Sequence, residues 1–148
     1  CHWGQTDVYD IHDYEQDPVA FKEHYAHLDE GVSYYLDPHR NLKTNFWDGK
    51  TPYFVSEYGG TWWNPDVSDG WGYGQQPKSE KEVCDRYCGL TSALMENPKI
   101  CAFCYTQPYD VEQEQNGLFR YDRSPKFSEE TYRRIRETNL AVAAMEKE

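Results

Sequence analysis

The sequence is short of positive charge: 15 Lys and Arg stand against 26 Asp and Glu, a net charge of −11. A surface of that sign repels phosphate, so no nucleic-acid partner is expected. It also has no run approaching the roughly 20 apolar residues of a membrane span, and no basic segment leading into an apolar one at its start. No membrane partner is expected either. Internal repeats, a glycine-rich phosphate loop and a Gly-x-Ser-x-Gly elbow are all missing, which removes the usual signals for nucleotide binding and for a serine nucleophile. Cysteine is sparse, five in the chain and without dense spacing. An odd, scattered set predicts reduced thiols and a reducing, cytoplasmic setting.

What is abundant is aromatic. Thirteen Tyr and five Trp within a 38% hydrophobic composition suffice for a core and exceed what a minimal core needs, so disorder is not expected. The chain opens on Cys1, and a strand-like stretch follows almost at once. Both features suggest a segment of a larger protein.

Asp7 to His12 reads as a strand. Asp17-Pro18 then supplies an N-cap and a proline at N1 for a helix ending at Gly31, with Phe21, Tyr25 and Leu28 on one face. Asp37 to Lys50 is polar with turn signals, and Pro52 to Glu57 is a short apolar strand ending at Tyr58-Gly59-Gly60. Thr61 to Pro77 is a long loop holding Trp62, Trp63 and Trp71, and loops of such length are usually functional. Ser79 and Glu82 form a capping box for a helix with Val83, Tyr87, Leu90 and Leu94 on one face, stopped by Asn97-Pro98. Ile100 to Tyr105 has the continuous apolar character of a strand covered on both faces. Ser128 caps a last helix running through Glu129, Tyr132, Ile135 and Leu140. Strands alternating with helices predict an α/β fold with a parallel sheet, its functional groups where strands run out into loops. Three units are too few to close a barrel, so the expectation is a small open sheet or part of a barrel.

Three polar clusters end the three strands: His12-Asp13-Tyr14, Ser56-Glu57-Tyr58 and Tyr105-Thr106-Gln107. Glu57 ends a strand too apolar to need a charge, and the following glycines permit close approach of backbone or ligand. It is either a cap for the next loop or a carboxylate nucleophile or base. Tryptophan-rich loops beside carboxylates suit sugars, whose C–H faces stack on rings while acids work at the anomeric carbon. A metal is not expected. His24 and His27 read as a solvated helix face, Cys101 and Cys104 fall on opposite sides of a strand, and Cys84 and Cys88 read with them as packing residues. No cofactor is implied.

The segments DVYDIHDYEQDP, PYFVSEYGG and ICAFCYTQPYDVEQEQNGLFRYDRSPK resemble, in order and spacing, the last three βα units of the catalytic barrel of glycoside hydrolase family 2. The resemblance implies a partial (β/α)8 TIM barrel, strands six to eight, with residues 1–148 as its C-terminal part and two β-sandwich domains and the first strands upstream. It implies retaining hydrolysis with Glu57 as nucleophile. The family's acid/base follows an asparagine in an Asn-Glu pair; this chain has no such pair, so alone it is expected to be inactive. By the same resemblance His12 contacts the nucleophile or the sugar, and Asp13 and Tyr14 help to position it. Thr106 and Gln107 stand where relatives carry a tryptophan floor, leaving Tyr105 or Trp62, with Trp63 beside it, to meet the sugar. The β-glucuronidase branch holds the sugar carboxylate with Asn-x-Lys. Here the stretch is Glu114-Gln115-Asn116-Gly117, and an acidic Glu114 favours a neutral glycone, with β-galactoside the family's commonest substrate. The alternatives are a β-glucuronidase or other exo-β-glycosidase, or a carbohydrate-binding module without catalysis. The expected partners are a β-glycoside and the rest of a barrel, with self-association possible through uncovered sheet edges.

Overall fold

The computed structural model describes residues 6–30, 33–37, 42–66 and 69–147; of 29, 33–37 and 42–45 it describes the backbone alone. Cys1 and Gly31, the expected helix terminator, lie outside the described residues. Three strands, β1 (Tyr9–Asp13), β4 (Tyr53–Gly59) and β5 (Ile100–Thr106), form a parallel sheet in the order β1-β4-β5. Between β1 and β4 lies an antiparallel hairpin, β2 (Ser33–Asp37) and β3 (Leu42–Trp47). Sequence reading assigned no strand there, because turn residues outweigh alternation in Asp37 to Lys50 and strand preference depends on context.

Helix α1 (Pro18–His24) starts as its sequence dictates, with the Asp17 carboxylate accepting the Val19 and Ala20 N–H groups, both at 2.9 Å. It is shorter than expected, and a 3-10 turn at Ala26–Glu30 completes the segment. Phe21, Tyr25 and Leu28 are buried all the same. In α2 (Glu80–Met95) the Ser79 hydroxyl accepts the Glu82 N–H, whereas the Glu82 carboxylate takes the Lys78 N–H and Arg86 rather than closing a capping box. Val83, Tyr87, Leu90 and Leu94 are buried as their spacing predicts. Helix α3 (Glu129–Asn139) ends before Leu140, which is exposed. One Glu80 oxygen ties α2 to α3 by accepting from the Ser128 N–H and hydroxyl and from Thr131.

All of the core lies on one side of the sheet. Tyr9, Ile11, Tyr53, Val55, Tyr58 and Ile100 from the strands pack with Phe21, Tyr25 and Leu28 and with Leu90, Ala93 and Leu94 of α2. The opposite side is uncovered among the described residues: in β5, Ala102 and Cys104 are exposed. The continuous apolar run of this strand therefore does not correspond to two covered faces, and Cys104 is not a packing residue. Consecutive strands lie side by side, and the packed helices share one face. No described helix is long and apolar enough to cross a membrane.

Candidate active site

Strand register builds the site. Parallel pairing sets His12 of β1 opposite Glu57 of β4, with a register shift just before His12, so adjacent strand ends present both side chains together. His12 Nδ1 is 3.3 Å from Glu57 Oε2, and the two side chains are 48% and 41% exposed. The Tyr14 hydroxyl donates to the same Oε2. Burial pushes the Tyr14 hydroxyl pKa well up, and its bond to Glu57 pushes the same way, so Tyr14 stays a donor at any ordinary pH. Thr106, at the end of β5, pairs in register with Gly59 of β4. Residues from the ends of two adjacent strands thus meet at one carboxylate oxygen.

The turn after Glu57 needs its glycines. Gly59 and Gly60 have φ of +79° and +60°, and a Cβ on Gly59 would overlap the Tyr105 ring. The long loop beyond them is ordered by the loop after β5. Trp71 N–H donates to the Gln113 carbonyl (2.8 Å), Gln115 N–H to the Trp71 carbonyl (2.8 Å), Trp63 N–H to the Gln115 carbonyl (3.0 Å) and Tyr73 N–H to the Gly60 carbonyl (2.8 Å). Tyr73 is thereby laid flat on Tyr14, ring centroids 3.5 Å apart and planes 10° from parallel.

Two expected contributors are elsewhere. Asp13 alternates away from His12 and Tyr14 into the core, 1% exposed, where it accepts from Tyr25 (2.9 Å), pairs with His24 Nδ1 (2.8 Å) and takes the Glu15 N–H (3.1 Å). His24 is accordingly no solvated-face residue. Its bond with Asp13 raises its pKa, outweighing the burial that lowers it. Tyr105 packs on the helix side between Tyr58 (5.4 Å) and Tyr87 (4.7 Å) rather than toward Glu57. Trp62 and Trp63 are half-buried in the loop. Gln107, joined to Thr106 by a cis peptide, donates to Asn116 (3.0 Å), which donates to Glu114 (2.9 Å).

Sequence reading missed Gln16, Tyr73 and Lys126. Gln16 donates to the Tyr14 and Gly59 carbonyls (3.1 and 2.6 Å) and accepts from Thr61 (2.7 Å), tying the loops after β1 and β4 together. Lys126 is wholly buried and donates to Asp110 (2.5 Å) and to the Gln115 and Gly117 carbonyls, both at 3.2 Å. It fastens the loop that carries Glu114 and Asn116. Its only signal in the sequence was a lone cation after a proline, which spacing cannot distinguish from a surface lysine.

No family model and no curated protein sequence matches the chain. Among solved structures, the chain is similar to the β-glucuronidase of Bifidobacterium dentium complexed with coumarin-3-O-glucuronide, with a TM-score of 0.52 and 19% identity. It is also similar to the β-glucuronidase of Faecalibacterium prausnitzii, with a TM-score of 0.53 and 18% identity. These matches cover 95% and 93% of this chain but only 22% of each of those chains. At such identity the likeness is one of fold: the chain folds as a segment about one fifth the length of those enzymes.

Proposed function

We propose that this chain is the segment of a (β/α)8 catalytic barrel that carries the nucleophile of a retaining exo-β-glycosidase. The observation that carries the reading is Glu57, a half-exposed carboxylate at a strand's carboxyl end, with His12 of the neighbouring strand and Tyr14 just after it on one of its oxygens. Sequential strand order with the packed helices on one face supports a barrel segment, since doubly wound open sheets reverse order and cover both faces.

Both contacts fall on Oε2, which sets the rotation of the carboxylate and reserves Oε1 for attack. Oε1 bonds to the anomeric carbon as the glycosidic C–O bond breaks and the leaving oxygen takes a proton from a second carboxyl, about 5–5.5 Å from the first. Water then displaces Glu57 from the glycosyl ester. The chain has no Asn-Glu pair, so the second carboxyl is assigned to the rest of the barrel. As substrate we favour a neutral β-glycoside, a β-galactoside first, because Glu114 beside Asn116 in the β5 loop disfavours a uronate carboxylate. A β-glucuronide is the second reading, supported by the two similar structures being β-glucuronidases, one of them complexed with coumarin-3-O-glucuronide.

The test compares the full-length protein with its Glu57→Gln variant on aryl β-galactoside, glucoside, glucuronide and mannoside, and labels both with the matching 2-deoxy-2-fluoro glycosides. Cleavage of one glycoside, a loss of at least about 10³-fold in the variant and a covalent label on Glu57 are expected. Undiminished activity in the variant would make Glu57 structural. Sugar binding without cleavage of any glycoside would leave a carbohydrate-binding module instead.

A further inference from the structure

Trp71 is 49% exposed, yet its surroundings are not those of a loosely held surface ring. Its N–H and its carbonyl are both engaged by the β5 loop, by Gln113 and Gln115 at 2.8 Å each. That pairing sets Glu114 directly opposite Trp71 in a short bridge. The indole meets Tyr73 edge to face, centroids 6.0 Å apart and planes at 77°. Tyr73 lies flat on Tyr14, and Tyr14 donates to Glu57. A continuous series of rings therefore leads from the carboxylate outward, and its last member is the one open to solvent.

We propose that Trp71 is the stacking platform for the leaving-group side of the substrate, a second sugar ring or an aryl aglycone, with Glu114 beside it as acceptor for that ring's hydroxyls. This rests on the reading of Glu57 as nucleophile. An exposed indole costs hydration free energy unless a ligand covers it, and a backbone fixed on both sides means that little further ordering is lost when a ring settles on it. A pyranose or an aryl group presents the apolar face that an indole accepts. The platform distinguishes substrates by what they carry beyond the scissile bond: a glycosyl fluoride, whose leaving group is one atom, has nothing to place on Trp71.

The experiment measures kcat/KM of the full-length protein and of Trp71→Ala, Trp71→Phe and Glu57→Gln on three substrates sharing the preferred glycone: the β-glycosyl fluoride, an aryl β-glycoside and a disaccharide. Trp71→Ala is expected to lower kcat/KM for the aryl glycoside and the disaccharide roughly three- to tenfold, the range of one aromatic contact. The fluoride should be unaffected, and Trp71→Phe should restore part of the loss. An equal effect on all three substrates, or none on any, overturns the proposal. Loss of fluoride turnover in Glu57→Gln keeps the underlying reading in place when Trp71 fails, whereas undiminished turnover in that variant overturns both.

Discussion

Replacing Lys126 by methionine isolates the device that holds the β5 loop. The ammonium and the Asp110 carboxylate are 0% and 1% exposed and 2.5 Å apart. Burial pushes the lysine pKa down, and Asp110 opposes that. Removing one partner of a buried pair costs about 3–5 kcal/mol, because the other charge is left without compensation. Asp110 keeps the Gly117 N–H at 2.9 Å, so the cost should fall near the lower end, about 3 kcal/mol. The Gly117 carbonyl loses this donor as well, and the Gln115 carbonyl loses one of two, keeping the Trp63 N–H. Native-state hydrogen exchange on the full-length protein reads this locally. The Asp110 N–H, bonded to Phe119, and the Leu118 N–H, bonded to Gln107, should exchange on the order of 100-fold faster, since about 1.4 kcal/mol is tenfold. Amides in the middle of α2 should be unchanged. Adding Asp110→Asn should recover more than half of the loss by removing the stranded charge. Acceleration below about threefold at both amides, or a double variant no better than the single one, would mean that the buried pair does not hold this loop.

Tyr14→Phe removes a hydrogen bond to a charged acceptor, worth about 1.5–3 kcal/mol, and should lower kcat/KM of the full-length protein roughly 10- to 100-fold with the thermal midpoint nearly unchanged; an unaltered kcat/KM would detach Tyr14 from the chemistry. His24 has a raised folded-state pKa, so the stability from its pair with Asp13 is complete below its unfolded value of about 6.5 and is lost as pH rises through the higher folded value. The stability difference between wild type and His24→Gln should accordingly shrink on going from pH 5.5 to about pH 9, as followed by denaturant unfolding; a difference that grows would reverse the assignment. Gly59→Ala meets both a positive φ and the Tyr105 ring and should destabilise by more than about 2 kcal/mol, visible as a lowered melting midpoint; an unshifted midpoint would mean that the turn relaxes.

How far the sequence carries can be traced residue by residue. Helix starts were legible because a cap is local: Asp17, Ser79 and Ser128 each bond N–H groups two or three positions on. The second half of a capping box was not, because Glu82 had a competitor in Arg86 that geometry favoured. Glu57 stood out because a charge following an apolar strand requires a reason, and its neighbour His12 was legible through strand order alone. Asp13 and Tyr105 were misplaced for a common cause: residues adjacent at a strand's end alternate between faces, and one step of register decides which of them meets the helices.

By itself the sequence determined the elements that rest on short-range chemistry, namely three strands, three capped helices, their βα order, and polar groups at the strand ends. Tertiary structure alone decided what those groups became. Pairing of β1 with β4 brought His12 and Tyr14 to Glu57 from positions far apart in the chain, and cross-loop hydrogen bonds fixed Tyr73 and Trp71 where no local preference would hold them. It also turned two ordinary-looking charges, Asp13 and Lys126, into buried anchors. Burial and partnership belong to pairs distant in sequence, and spacing along one strand or one loop carries no record of them.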